Sequence, residues 1–233
     1  MKKLSLINLI LLIGIIGYLI YNQSKKESAH FKKLTAERID IIGEDGNKFI
    51  VLSNPKDQAL ATNNGEVINP EQTNRDTPGL IFFNREGDEV GGLVFDKVDG
   101  EGYQMLTFDQ NKGDQIMVLR KDEYEENNQW HRQYGFELSE RSEKPSIKIV
   151  REYNSILKIK DSIKRIEAIN KFWLDKENLA PKRMFLGRLY NKDVGLFLLD
   201  KENNLKLSLY VDPEGNPVFQ YIDSLGNKKN LLK

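Results

Sequence analysis

The chain has 233 residues, 35 Lys+Arg against 35 Asp+Glu, 39% hydrophobic and 30% charged residues, and no cysteine. This composition excludes disulfides and thiolate chemistry, and it suits a folded body rather than a disordered tail. Outside Lys2 and Lys3, 33 basic residues face 35 acidic ones, a formal charge of −2 with no basic field for nucleic acid.

A three-residue tail, Met1-Lys2-Lys3, precedes an uninterrupted apolar run from Leu4 to Tyr21. Eighteen residues at ~1.5 Å rise make a helix of roughly 27 Å, close to the ~30 Å hydrocarbon core of a bilayer. A cleaved secretory signal would end in small residues, whereas this run ends in Tyr18-Leu19-Ile20-Tyr21-Asn22. The sequence therefore predicts an uncleaved transmembrane signal anchor over 4–21; a cleaved signal and a buried core helix are the other readings. Tyr18 and Tyr21 sit where an aromatic belt forms. Lys2 and Lys3 precede the run while Lys25, Lys26, Lys32 and Lys33 follow it, so the positive-inside rule pulls both ways. A short two-lysine tail favours a single-pass arrangement with the C-terminal body outside the cytoplasm. Residues 22–37 read as a polar juxtamembrane spacer.

From residue 38 to 233 one pattern recurs: an apolar or alternating run, a tight polar turn, another run. Ile39-Asp40-Ile41-Ile42 turns at Glu44-Asp45-Gly46 into Phe49-Ile50-Val51-Leu52. Further turns stand at Asn84-Arg85-Glu86-Gly87, between Asp109 and Gly113, at Asp200-Lys201-Glu202-Asn203, at Asp212-Pro213-Glu214-Gly215 and at Asp223-Ser224-Leu225-Gly226. Asp and Asn open turns by accepting from backbone amides two residues on, Pro presets φ, and Gly supplies φ > 0. The flanking runs alternate as half-buried strands do, with Leu205, Leu207 and Leu209 on one side and Lys206, Ser208 and Tyr210 on the other. This spacing predicts an antiparallel hairpin meander. Asp99-Gly100-Glu101-Gly102 lacks the ligand pattern of a calcium loop and reads as a turn.

Two segments interrupt the meander. Residues 53–78 form a polar, turn-rich loop that either lies over the sheet or stays mobile. Residues 155–174 carry Ile156, Ile159, Ile163, Ile166, Ile169 and Trp173 at helical spacing, which predicts one amphipathic helix packed on the sheet, ended by Pro181.

Catalytic signatures are absent: no G-x-S-x-G, no P-loop, no H-E-x-x-H. His30 and His131 have no histidine partner at ligand spacing and read as surface residues, so neither a metal nor a cofactor is expected. The densest polar constellation is Asn84, Glu86, Asp88 and Glu89 before Gly91-Gly92, with Asp109, Gln110, Asp114 and Gln115 on the next hairpin. Glu89 and Asp109 are the speculative catalytic pair, since two facing carboxylates perform acid–base work as in glycoside hydrolysis. Turn capping explains most of the same positions. Trp130, Tyr134 and Phe136 read as core or edge packing, or as an aromatic contact surface.

The stretch Pro78-Gly79-Leu80-Ile81-Phe82-Phe83-Asn84-Arg85-Glu86-Gly87-Asp88-Glu89-Val90-Gly91-Gly92-Leu93-Val94-Phe95 resembles one in a family of uncharacterised bacterial proteins. Leu106-Thr107-Phe108-Asp109-Gln110 with Asp114-Gln115, and Arg183-Met184-Phe185-Leu186-Gly187-Arg188, are similar to further stretches of that family. The resemblance covers roughly residues 36–233. It departs after Phe136, where Ser139-Glu140-Arg141 stands near the family's Asp-Arg-Pro. It implies an N-terminal membrane segment before a β-rich body, and transfers no catalytic residue.

The sequence thus predicts a mainly β body, an antiparallel hairpin meander forming a barrel, sandwich or propeller-like arrangement. Closure is favoured because many short strands would otherwise leave edges exposed. The leading functional expectation is a non-enzymatic interaction or scaffold module at the bacterial envelope. An envelope hydrolase using the carboxylates near Glu89 and Asp109, or a small-ligand sensor, are the alternatives. The expected partners are the membrane, through residues 4–21, and a protein or small ligand of unspecified identity.

Overall fold

A computed structural model of the chain describes residues 2–24 and 29–232, without the side chains of 2–6 and 22–24. Two units separate after Ala36. The first contains α1 (Lys2–Ser24), whose side chains at 7–21 are all exposed. Among the described residues no helix is long and apolar enough to cross a membrane. The side chains of residues 4–6, at the start of the expected anchor, lie outside the described residues.

The second unit is built from hairpins. β1 (Arg38–Ile42) and β2 (Lys48–Ser53) come first, then a small separate pair, β3 (Thr62–Asn63) and β4 (Glu66–Val67). β5 (Gly79–Phe83), β6 (Glu89–Val98), β7 (Glu101–Asp109), β8 (Gln115–Glu126) and β9 (Gln129–Ser139) follow. After α2 (Ser146–Leu157) and α3 (Ser162–Leu174), the chain resumes with β10 (Lys182–Arg188) and β11 (Val194–Leu199). β12 (Leu205–Val211), β13 (Pro217–Ile222) and β14 (Lys228–Asn230) end it. Apart from β3 and β4, all strands join one twelve-stranded antiparallel sheet in chain order, β1-β2-β5-β6 and on to β14.

One turn geometry is used repeatedly. At Gly43, Asn84, Gln110, Leu189, Asp200, Asp212 and Asp223, the residue's amide donates to the carbonyl four residues on, and its carbonyl accepts from the amide three residues on. Gly46, Gly87, Lys192, Asn203, Gly215 and Gly226 hold positive φ at the fourth position. This is the type I turn with a bulge that closes three-residue hairpin loops. The side chains of Asp200, Asp212 and Asp223 add caps by accepting from the amides of Asn204 (2.8 Å), Asn216 (2.7 Å) and Asn227 (2.9 Å). These bonds hold the three carboxyls below the ordinary range, that of Asp200 at about 2. The expected turns are thus present.

The sheet is open, which corrects the expectation of closure. β1 and β14 are its two ends and do not pair with each other. Their shortness manages the exposed edges: β14 has 3 residues, and β1 has 5 with a register irregularity at Ile41/Ile42. A propeller is excluded equally, because blades would be separate sheets.

The helical region also differs from expectation. Asp161 accepts from the amides of Ile163 (2.9 Å) and Lys164 (3.1 Å), capping a new helix where a continuous one was read. Of the predicted stripe, Ile163 is 69% and Ile166 57% exposed; Phe172 is the one buried residue of α3, against Tyr153 and Trp173. Polar contacts tie α2 to the turns and the long loop: Ser146 donates to the Lys112 carbonyl (2.8 Å), and the Ile147 amide to Asn63 (3.2 Å). The loop 54–78 lies over the sheet. Ala59 joins Val51, Ile81, Phe83 and Val94 in the core, and Gln58 donates to the Thr77 and Gly79 carbonyls at 3.0 and 3.1 Å.

The inner face of the sheet carries a buried row through Val51, Ile81, Gly92, Thr107, Val118, Glu137, Phe185, Phe197 and Ser208. On the same face Gly135, Gly187 and Gly195 are directly paired across three strands. A Cβ on Gly187 would overlap the Tyr134 carbonyl oxygen and the Gly135 Cα. Gly187→Ala should therefore cost roughly 1–3 kcal/mol by forcing two backbones apart. Chemical denaturation measures this, with a Tyr134→Ala control that leaves the strand approach intact.

Candidate functional site

The two hairpins singled out in the sequence do converge. Glu86 reaches Lys112 at 3.2 Å, linking the β5–β6 turn to the β7–β8 turn. Asn84 and Asp88 prove to be turn architecture. The Asn84 side-chain Oδ1 accepts from the amides of Glu86 and Asp88, and the fully buried Asp88 carboxylate accepts from the Asn64 amide (2.7 Å) and Asn84 Nδ2 (2.9 Å).

Glu89 and Asp109 have a different environment. Both oxygens of the buried Glu89 accept from Arg75, at 2.6 and 2.7 Å, in a bidentate pair. Asp114 meets Arg141 at 2.9 Å. Asp109 sits among these pairs, and its Oδ1 is buried without a hydrogen-bond partner among the described residues. Its carboxyl is pushed up to about 7, first by burial, then by the Glu89 and Asp114 charges, while Arg75 and Arg141 pull it down. Sequence reading missed Arg75 and Arg141. Each comes from irregular chain with no periodic signal, and only the folded loops bring them in.

One ionised and one protonated carboxyl is the pairing acid–base chemistry uses. Access opposes that use here. Glu89 is 9% exposed and fully occupied by Arg75, and neither carboxylate lines the largest cleft. That cleft, about 650 Å³, runs past Tyr103, Met105, Arg120, Asp122, Tyr124 and Tyr190. Most of its charges are already paired, Arg120 to Asp122 at 2.6 Å and Glu123 to Lys121 at 2.8 Å, while Glu101 stands exposed at its rim. Among the described residues no cluster of three or more His, Cys, Asp or Glu is placed to hold a metal. His131 stacks on Tyr124 at 4.9 Å, and His30 is exposed in the first unit.

The most extensive feature is on the outer face. Directly paired positions place Ile39, Leu52, Leu80, Leu93, Leu106, Leu119, Phe136, Leu186, Leu196, Leu209 and Phe219 in one unbroken row across eleven strands. A second row beside it runs through Ile41, Ile50, Phe82, Phe108, Met117, Leu138, Met184, Leu198, Leu207 and Tyr221. On the other side, Phe95, Tyr134, Val194 and Val211 alternate with Gln104, Lys121 and Arg188. No side chain of the first row is buried; Leu119 is 56%, Leu186 50% and Leu209 51% exposed. Tyr134 and Phe136 belong to this face and not to the core, and Trp130 lies beyond them under Lys97, 4.4 Å from its ring.

Comparison of the chain with protein-family models, curated proteins and solved structures yields no match.

The buried acid has a measurable signature. Its pKa is raised above 3.8, so the folded state holds a proton that the unfolded chain releases. Stability contributed by the protonated form is lost as pH climbs from about 4 to about 7. Against Asp109→Asn, the natural protein should therefore lose roughly 2–3 kcal/mol between pH 5 and pH 8. Arg75→Ala should move the Asp109 titration upward, which carboxyl NMR reads directly. A midpoint near the ordinary value, unmoved in the variant, would contradict this environment.

Proposed function

We propose that the protein is a non-enzymatic interaction module, tethered to the bacterial envelope membrane through residues 4–21 with its β body on the extracytoplasmic side. The observation that carries this reading is the apolar row across eleven strands, none of it buried, with Leu52, Leu93, Leu119, Leu186 and Leu209 exposed. Single-chain proteins rarely leave contiguous apolar patches beyond a few hundred Å² in water. At a strand spacing of ~4.8 Å the row is roughly 50 Å long, far beyond the reach of a small ligand. Immersion of this face in hydrocarbon is opposed by the open edges at β1 and β14, whose backbone groups would go unsatisfied there. The balanced charge gives no reason for nucleic acid to bind. A protein face with matching apolar rows remains, and the tether would hold the module where such a partner resides.

The hydrolase alternative rests on Asp109 alone and requires Arg75 to release Glu89. Proximity labelling with the full chain at its native membrane tests both readings. Leu119→Lys with Leu186→Lys alters exposed positions, so stability should change by about 0.5 kcal/mol or less, while the labelled neighbours are lost. An unchanged neighbour set, or a phenotype abolished instead by Glu89→Gln with Asp109→Asn, would overturn the proposal.

A further inference from the structure

Resting on that reading, we infer that the partner covering the outer face is a second copy of this chain, two sheets closing face to face into a sandwich. The first argument is layer count. A sheet with one apolar face buries it against another layer, and the described residues of the second unit supply a layer for the inner face only. Loop 54–78 packs there through Ala59 and Gln58, while the outer row keeps no cover.

The second argument is area. Eleven strands at ~4.8 Å and two apolar rows ~7 Å wide give roughly 700 Å² of apolar face per copy. Two copies would bury roughly 1,400 Å², within the range of a stable specific interface. The third argument is self-complementarity. The row stays Leu, Ile or Phe from end to end, so a two-fold axis in the plane between two sheets, running along the row or perpendicular to it, sets apolar on apolar. With no net charge on the chain, self-association meets no global repulsion. Packed sheets sit ~10 Å apart with strands aligned or crossed, and both arrangements keep the central rung near its own copy. That rung is Leu119, sixth of the eleven.

The absence of native cysteine makes the test direct. The full chain carrying Leu119→Cys, in the membranes of the cells that make it, is treated with a bismaleimide about 10 Å long, the separation of packed sheets. Lys206→Cys, exposed on the opposite face, serves as control, and circular dichroism checks folding of both. The inference predicts a covalent dimer from Leu119→Cys, no dimer from Lys206→Cys, and loss of the dimer when Leu186→Lys is added. Equal dimer from both positions would overturn it. A cross-link from Leu119→Cys solely to a different protein would overturn self-pairing and leave the interaction reading standing. Free reaction of Leu119→Cys with a bulky, charged maleimide would show an uncovered face and overturn both.

Discussion

The structure depends on register. Each strand of the large sheet pairs with the next one of that sheet along the chain, and one repeated hairpin turn sets seven of the eleven steps. A shift of one residue would send a strand's apolar set to the other face. The bulged turns at Asn84, Asp200, Asp212 and Asp223 fix the offset by backbone bonds that allow one alignment. Aspartate caps reinforce three of them. The outer row is the cumulative product: eleven independent strands arrive with one apolar residue each in line. A meander lacking these turns would scatter the same residues between faces.

The two faces divide the sequence in an unfamiliar way. The inner face mixes small, branched and polar groups, among them Gly92, Thr107, Val118 and the fully buried Ser208, with the buried rings of Phe185 and Phe197. Its paired glycines allow the backbones at Gly135 and Gly187 to approach more closely than any larger residue would. Glu137 lies there too, held by Lys182 at 2.7 Å. The outer face holds the larger hydrophobes. In β12, the side predicted as apolar is the outer one, with Leu209 exposed, and Ser208 is buried on the inner one. Within a single copy that arrangement costs hydrophobic stabilisation; with a second layer it supplies the core of a sandwich.

Much of the fold was legible. Asp, Asn and Gly at fixed offsets report local bonds, so the turns from Asp45 to Gly226 could be read without tertiary knowledge. Alternation identified the strands. It could not identify which face would be covered, because that depends on loop 54–78 returning over the sheet. The same reason hid Arg75 and Arg141, whose roles arise from long-range return of irregular chain. Apolar spacing over 155–174 reads as one helix because it passes over Asp161, whose side chain caps a new helix there. Closure was inferred from the danger of edges; short end strands answer that danger without it.

Hydroxyl-radical footprinting of the full chain in the cells that make it, read side chain by side chain, tests the central claim most directly. In a single copy, Leu119, Leu186 and Leu209 are open to solvent, as is Leu225 in the last turn. A covered outer face predicts that the first three are protected from oxidation while Leu225 is not. Oxidation of all four in proportion to their exposure in the single chain would contradict it.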